Sequence, residues 1–159
     1  MSGPGTSLHQ AAGVLGLDAF LIVRAGGGRY GLPLASVREV VDLAPVRPVP
    51  TRVRALRGVM PLRERFVSLV HLGALLTGEE APAAPGDAAV VVMVAGARVA
   101  LEVDEVEAVA DRSAVVVGEA PAAWARNVWR VGQDLVTVLD LGVLAERISE
   151  RGSGNDAAG

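Results

Sequence analysis

The sequence predicts a mainly β protein made of two small β subdomains, and three observations carry that prediction. First, apolar residues are 51% of the 159-residue chain while aromatics are only 3%, so Val, Leu, Ile and Ala must build the core. Valine's branched Cβ suits a pleated surface. Second, short apolar runs recur with turn signals at close spacing, as in small barrels or a sandwich. Third, a compositional break at residues 77–87 (TGEEAPAAPGD) separates two stretches of similar content, which places the subdomain boundary near that loop. The length suits one domain, or two small subdomains sharing a core.

Residues 1–16 are small, polar or Gly-rich and predict a flexible arm. The folded domain is expected over 17–150. Asp18–Val23 reads as a strand, Gly26-Gly27-Gly28 as a turn, and Arg29–Leu34 as the returning strand of a hairpin. Pro33 lacks an N–H and assigns that second strand to a sheet edge or a bulge. Val37–Leu43 is ambiguous between a helical turn and a strand. Pro45, Pro48 and Pro50 then force an extended path. Phe66–Leu72 alternates and reads as a strand.

Beyond the 77–87 loop, Ala89–Val94 and Arg98–Val103 form a hairpin around Ala95-Gly96-Ala97. Val106–Ala110 and Ala114–Val117 are short strands. Val128–Val131 and Leu135–Leu139 pair through Gly132-Gln133-Asp134. Asp140 is a candidate helix N-cap. Leu141, Leu144 and Ile148 follow on one helical face. Residues 151–159 (RGSGNDAAG) predict a disordered tail. Helices this few and short argue against a doubly wound α/β fold.

The residue inventory limits the chemistry. Cysteine is absent, which removes disulfides, thiolate nucleophiles and Cys-based zinc sites. His9 and His71 are the two histidines, too few for an imidazole-rich metal site. A net charge of −3 argues against general nucleic-acid binding. The start lacks a secretory pattern, and the apolar stretch Ala88–Leu101 is interrupted and too short to span a bilayer. These features predict a soluble cytoplasmic protein without membrane insertion.

Three motifs invite a catalytic reading and fail it. Gly26, Gly28 and Gly31 match G-x-G-x-x-G, but a strand containing Pro33 follows instead of the helix a dinucleotide needs. His71 lies near Ser68, yet no nucleophile elbow exists, so a half-exposed structural histidine is the reading. Glu102, Asp104, Glu105 and Glu107 lack calcium-loop spacing and read as a solvated acidic strand or turn. No enzyme, cofactor, metal or small-molecule substrate is expected. Charge is also uneven. Arg47, Arg52, Arg54, Arg57, Arg63 and Arg65 face only Glu64 locally, while six acids between Glu102 and Glu119 face only Arg112. Such patches either steer protein partners or pair with each other inside the molecule.

Tyr30-Gly31-Leu32-Pro33-Leu34 followed by Val37-Arg38-Glu39-Val40 resembles the opening signature of CheW-like domains. Val49-Pro50, Gly58-Val59 and Pro61-Leu62-Arg63 continue the resemblance. Val103-Asp104-x-Val106-x-x-Val109, Pro121 and Leu135–Asp140 (LVTVLD) with Leu144 complete it, from about Asp18 to Ile148. Each motif is weak alone; their order and spacing are specific.

The resemblance implies two small five-stranded, SH3-like β-barrels closed by a C-terminal helix. It implies a non-catalytic adaptor that binds the regulatory domain of a CheA-type histidine kinase. It also implies a grip on the cytoplasmic tip of a chemoreceptor near the groove between the barrels, with other CheW-like proteins as further partners. By position, Val37, Glu39 and Gly58 would lie on partner-facing surface, and Arg63 would be the functional arginine near the receptor contact. Pro61, Glu64, Ser68 and His71 depart from the family's Asn, Gly, Pro and Asp, and Val53 stands where a second Pro is usual. These departures point to a divergent system, one controlling motility or development. The rival readings are a degenerate module that binds another regulator or nucleic acid through its arginines, and a ligand-binding barrel or hydrolase using His71.

Overall fold

A computed structural model describes residues 19–110 and 115–148. The flexible arm and the tail expected from the sequence lie outside the described residues. The chain is mainly β. Its strands are β1 (Phe20–Ala25), β2 (Gly28–Pro33), β3 (Val37–Val41), β4 (Leu56–Leu62), β5 (Arg65–His71), β6 (Ala88–Val94), β7 (Ala97–Val103), β8 (Glu105–Ala110), β9 (Val115–Glu119), β10 (Ala125–Val131) and β11 (Asp134–Leu139). Among the described residues, a 3-10 turn covers Leu34–Ser36, a short helix α1 covers Leu72–Thr77, and a second helix α2 covers residues 141–148.

Two sheets form. The first has six strands in the order β8-β1-β2-β11-β10-β9, and the second has five, β3-β6-β7-β5-β4. The strands therefore interleave. The first sheet takes the opening hairpin and the last four strands; the second is inserted between β2 and β8. The 77–87 segment joins α1 to β6 inside the second sheet, so the sheets do not part at that loop. Similar composition on both sides of a loop does not reveal which strands pair across it.

Local chemistry explains the elements. Gly26 and Gly27 take φ of 56° and 84°, the left-handed pair that a two-residue hairpin turn requires. Pro33 does not mark an edge, because β2 is interior. It ends β2 opposite Phe20, while the parallel ladder to β11 reaches only Tyr30 and Gly31, so its missing N–H breaks no bond there. Asp140 Oδ1 accepts from the Val143 N–H at 3.1 Å and caps α2. Leu141 and Leu144 are buried, and Ile148 packs against the same core.

Strand alternation divides the interior into three clusters. In β1, Leu21 and Val23 face the central core between the sheets, whereas Phe20 and Ile22 face a second cluster with Ala110, Val136 and Val138. In β6, Val90 and Val92 join the central core, whereas Ala89 and Val91 join a third cluster with Met60, Val67, Leu69 and Ala100. Both strands are buried on both faces, which is why they read as unbroken apolar runs. Each sheet wraps its own cluster, consistent with two SH3-like subdomains, one of six strands instead of the five expected.

The second sheet curls until its ends nearly meet. After β3, Arg47 forms an isolated antiparallel bridge to Val59 of β4, with N···O distances of 2.7 and 2.9 Å. Val41, Leu43, Ala44 and Val46, on the path from β3 to that bridge, pack onto the third cluster.

Candidate partner-docking site

A narrow apolar groove runs beside the inter-sheet core. Val94 and Val99 line it from the β6–β7 hairpin, Leu75 from α1, and Leu144, Ala145 and Ile148 from α2. Leu75 and Leu144 are buried and anchor its floor, while Val94, Val99, Ala145 and Ile148 are half-buried. Charge is excluded from its lining, which offers contact to apolar side chains. The sequence displayed α2's apolar stripe, but the hairpin valines opposite it were not legible as its partners.

Two of the four candidate site residues come together. Glu39 on β3 accepts two hydrogen bonds from Arg63, at 2.6 and 2.7 Å. Arg63 sits in the β4–β5 turn with a φ of 56°, unusual for a residue with a side chain. Because β3 and β4 are opposite edges of the five-stranded sheet, this bidentate pair spans its open side. The Glu39 carboxylate holds the Arg63 guanidinium above its ordinary pKa. Arg63 nevertheless stays exposed, at 66% of its side chain.

The other two candidates are interior. Val37 is 0% exposed and belongs to the central core, so its packing accounts for it and no surface is left to anchor a partner. Gly58 is also buried, with a φ of 142°. A Cβ there would lie 2.1 Å from the Arg47 carbonyl oxygen. The close backbone approach that glycine permits is therefore internal: it lets the Arg47–Val59 bridge form.

The acidic segment is also differently employed than expected. Glu102 is 1% exposed rather than solvated. Arg57 binds it through Nε and, at 3.1 Å, through Nη2, and the Gly86 N–H donates to it at 2.6 Å. Arg57 Nη2 also reaches the Ala84 carbonyl at 3.0 Å, so this pair fastens the 77–87 segment to β7. Asp104 accepts from the Gly26 N–H at 3.0 Å. Glu105 pairs with Arg24 at 3.2 Å and Glu107 with Arg29 at 2.9 Å. The acids are thus largely matched within the molecule. Among the described residues, Arg47, Arg52, Arg54 and Arg65 of the basic stretch have no carboxylate partner.

His71 is buried at 8% exposure, not half-exposed. Its Nδ1 accepts from the Ala74 N–H at 3.0 Å and caps α1. Burial lowers its pKa, and the nearby Arg57 adds to that, while Glu102 and Asp104 oppose it. A protonated Nδ1 cannot accept, so the cap requires neutral imidazole. With the folded pKa below the unfolded value of about 6.5, the unfolded chain takes up the proton more readily. Stability from this group is complete above the unfolded pKa and declines as pH falls below it. Urea melts at descending pH should show that loss, and His71→Asn, which caps without titrating, should reduce it. An unchanged pH profile in the variant would remove His71 from the account.

These features coincide with a known pattern. The model of the CheW-like domain matches residues 19–149. The chain belongs to the CheW-like domain family. Among solved structures it is similar to the scaffolding protein TtCheW from Thermoanaerobacter tengcongensis, with a TM-score of 0.68 and 18% sequence identity, covering 79% of this chain and 90% of that one. At that identity the likeness establishes the CheW-like fold. No curated protein matches the chain by sequence. Among the described residues, no helix is long and apolar enough to cross a membrane.

Proposed function

We propose that this CheW-like chain is a non-catalytic, cytoplasmic adaptor that couples chemoreceptors to a CheA-type histidine kinase. The observation that carries the reading is the family match across the whole described fold. The groove between the β6–β7 hairpin and α2 is the feature suited to holding a receptor's helical tip. Binding and relative positioning are the entire mechanism. No covalent step is required of any side chain.

The groove makes a direct prediction. Val94→Lys places a charge on its half-buried rim and should weaken receptor-tip binding at least about tenfold, since a desolvated ammonium faces apolar walls. Pull-down with the receptor's cytoplasmic hairpin checks it, with thermal unfolding to show that the fold persists. Undiminished binding would exclude the groove.

Arg63 requires a swap rather than a deletion. Arg63→Glu alone places two carboxylates together and disturbs the β4–β5 turn. The double variant Glu39→Arg, Arg63→Glu restores the pair with its poles reversed. If Arg63 contacts the partner, the double variant folds normally and still loses binding. Retained binding would show that the pair serves the sheet alone.

A further inference from the structure

His71 stands where α1 meets both sheets. It ends β5 of the second sheet, and its ring lies against the first turn of α1, which packs on the β1–β2 turn of the first sheet. A Cβ added to Gly73 would meet His71 Cε1 at 3.3 Å and the Gly26 nitrogen at 3.4 Å, so ring, helix and turn are in close contact. Helix α1 is held by few hydrogen bonds, because six residues close little of an α-helical ladder. Ala74 is tied at both ends of its backbone. Its N–H donates to His71 Nδ1, and its carbonyl accepts from the Gly78 N–H at 2.8 Å. The next residue, Leu75, lines the apolar groove.

A proton on Nδ1 is incompatible with this arrangement, since it sets a donor against the Ala74 N–H. The charged groups around the ring offer no vacant substitute. Glu102, its partner in the β5–β7 ladder, is engaged by Arg57 and by the Gly86 N–H. Asp104 accepts from the Gly26 N–H. Arg57 is itself a cation and repels an imidazolium, and α1 carries no charged residue. Burial therefore holds the imidazole below its ordinary pKa, with Glu102 and Asp104 opposing and Arg57 assisting. A proton that does enter must break the cap or displace one of these contacts.

We propose that His71 is a proton switch for the groove: protonation uncaps α1, moves Leu75, and releases the apolar partner segment that the groove holds at neutral pH. The identity of that partner rests on the adaptor reading, whereas the switch belongs to the chain itself. The sign follows from linkage. The groove-competent form needs neutral imidazole, so a bound partner opposes protonation and acid opposes the partner equally. Binding is complete above the folded pKa of His71 and weakens as pH falls through it, by no more than tenfold per pH unit for one proton. His71 is a positioning residue here, because it lies outside the groove lining and acts through α1.

The test has two arms, both on the full chain. In the first, NMR follows the chain alone from about pH 7.5 to about pH 5, across the usual histidine range. The Ala74 amide and the Leu75 methyls are expected to shift with the same midpoint as the His71 ring, and to stay in place in His71→Asn, which accepts without titrating. In the second, the receptor's cytoplasmic hairpin is titrated in at both ends of that range. Its Kd should rise at least about fivefold in acid, the lower end of typical coupling, and the rise should vanish in His71→Asn. If that variant fails to fold, His71→Asp replaces it, with a carboxylate that caps and stays ionised above about pH 4. A ring that stays neutral to about pH 5, a ring titration that leaves Ala74 and Leu75 unmoved, or an equal loss of affinity in parent and variant would overturn the switch. No receptor binding at either pH would overturn the adaptor reading, while the first arm still decides the switch.

Discussion

Gly58→Ala is expected to destabilise the protein by about 3 kcal/mol, from strain at an unfavourable φ and from overpacking. At a φ of 142° a side chain is strained whatever surrounds it. Here the surroundings are also closed, because the new Cβ would lie 2.1 Å from the Arg47 carbonyl oxygen and 2.8 Å from the Pro48 Cα. Both neighbours are backbone, so neither can rotate away. The Arg47–Val59 bridge must open, and with it the cover that Val46 and its neighbours give to the cluster around Met60. A loss of this size is a large part of the roughly 5–15 kcal/mol that holds a typical domain. Chemical denaturation gives the value directly. A variant as stable as the parent would show that the bridge is dispensable.

Arg57→Ala is expected to cost about 3–5 kcal/mol, the penalty for leaving a buried charge without its counterion. Glu102 is 0% exposed in its side chain and would retain only the Gly86 N–H among its present donors. The 77–87 segment would also lose the Arg57 contact to Ala84. Replacing both members, Arg57→Met with Glu102→Met, removes the desolvated charges together and should be much milder. Denaturant melts of the two variants separate the cases. Equal destabilisation would mean that packing, not uncompensated charge, dominates at this site.

These two positions also mark where the sequence stops being informative. The runs FLIVRA and AAVVVMV announce strands because both of their faces are buried. Strand β4 was not legible. Its sequence LRGVMPL contains Gly58 and Pro61, each a strand breaker by propensity, and both are tolerated for reasons of position. Gly58 admits a crossing backbone, and Pro61 lies on the edge strand. Helix α1 is not legible from periodicity, because six residues give none and its cap is a histidine. The burial of Glu102 depends on Arg57, distant in sequence, and no local pattern joins them. The docking residues divided in the same way. Glu39 and Arg63 could be singled out by their place in the family pattern, and the structure brings them into one ion pair. The same pattern put Val37 and Gly58 on a surface, but it does not distinguish residues that a partner touches from residues that the backbone requires.

The adaptor reading is tested most directly by isothermal titration of the full chain against two components from the same genome. These are the regulatory domain of the CheA-type kinase and the cytoplasmic hairpin of the receptor. The account predicts binding to each at tens of micromolar or tighter, about −6 kcal/mol or stronger, with both bound at once and Val94→Lys losing only the receptor. Binding to neither component at roughly 100 μM would contradict it.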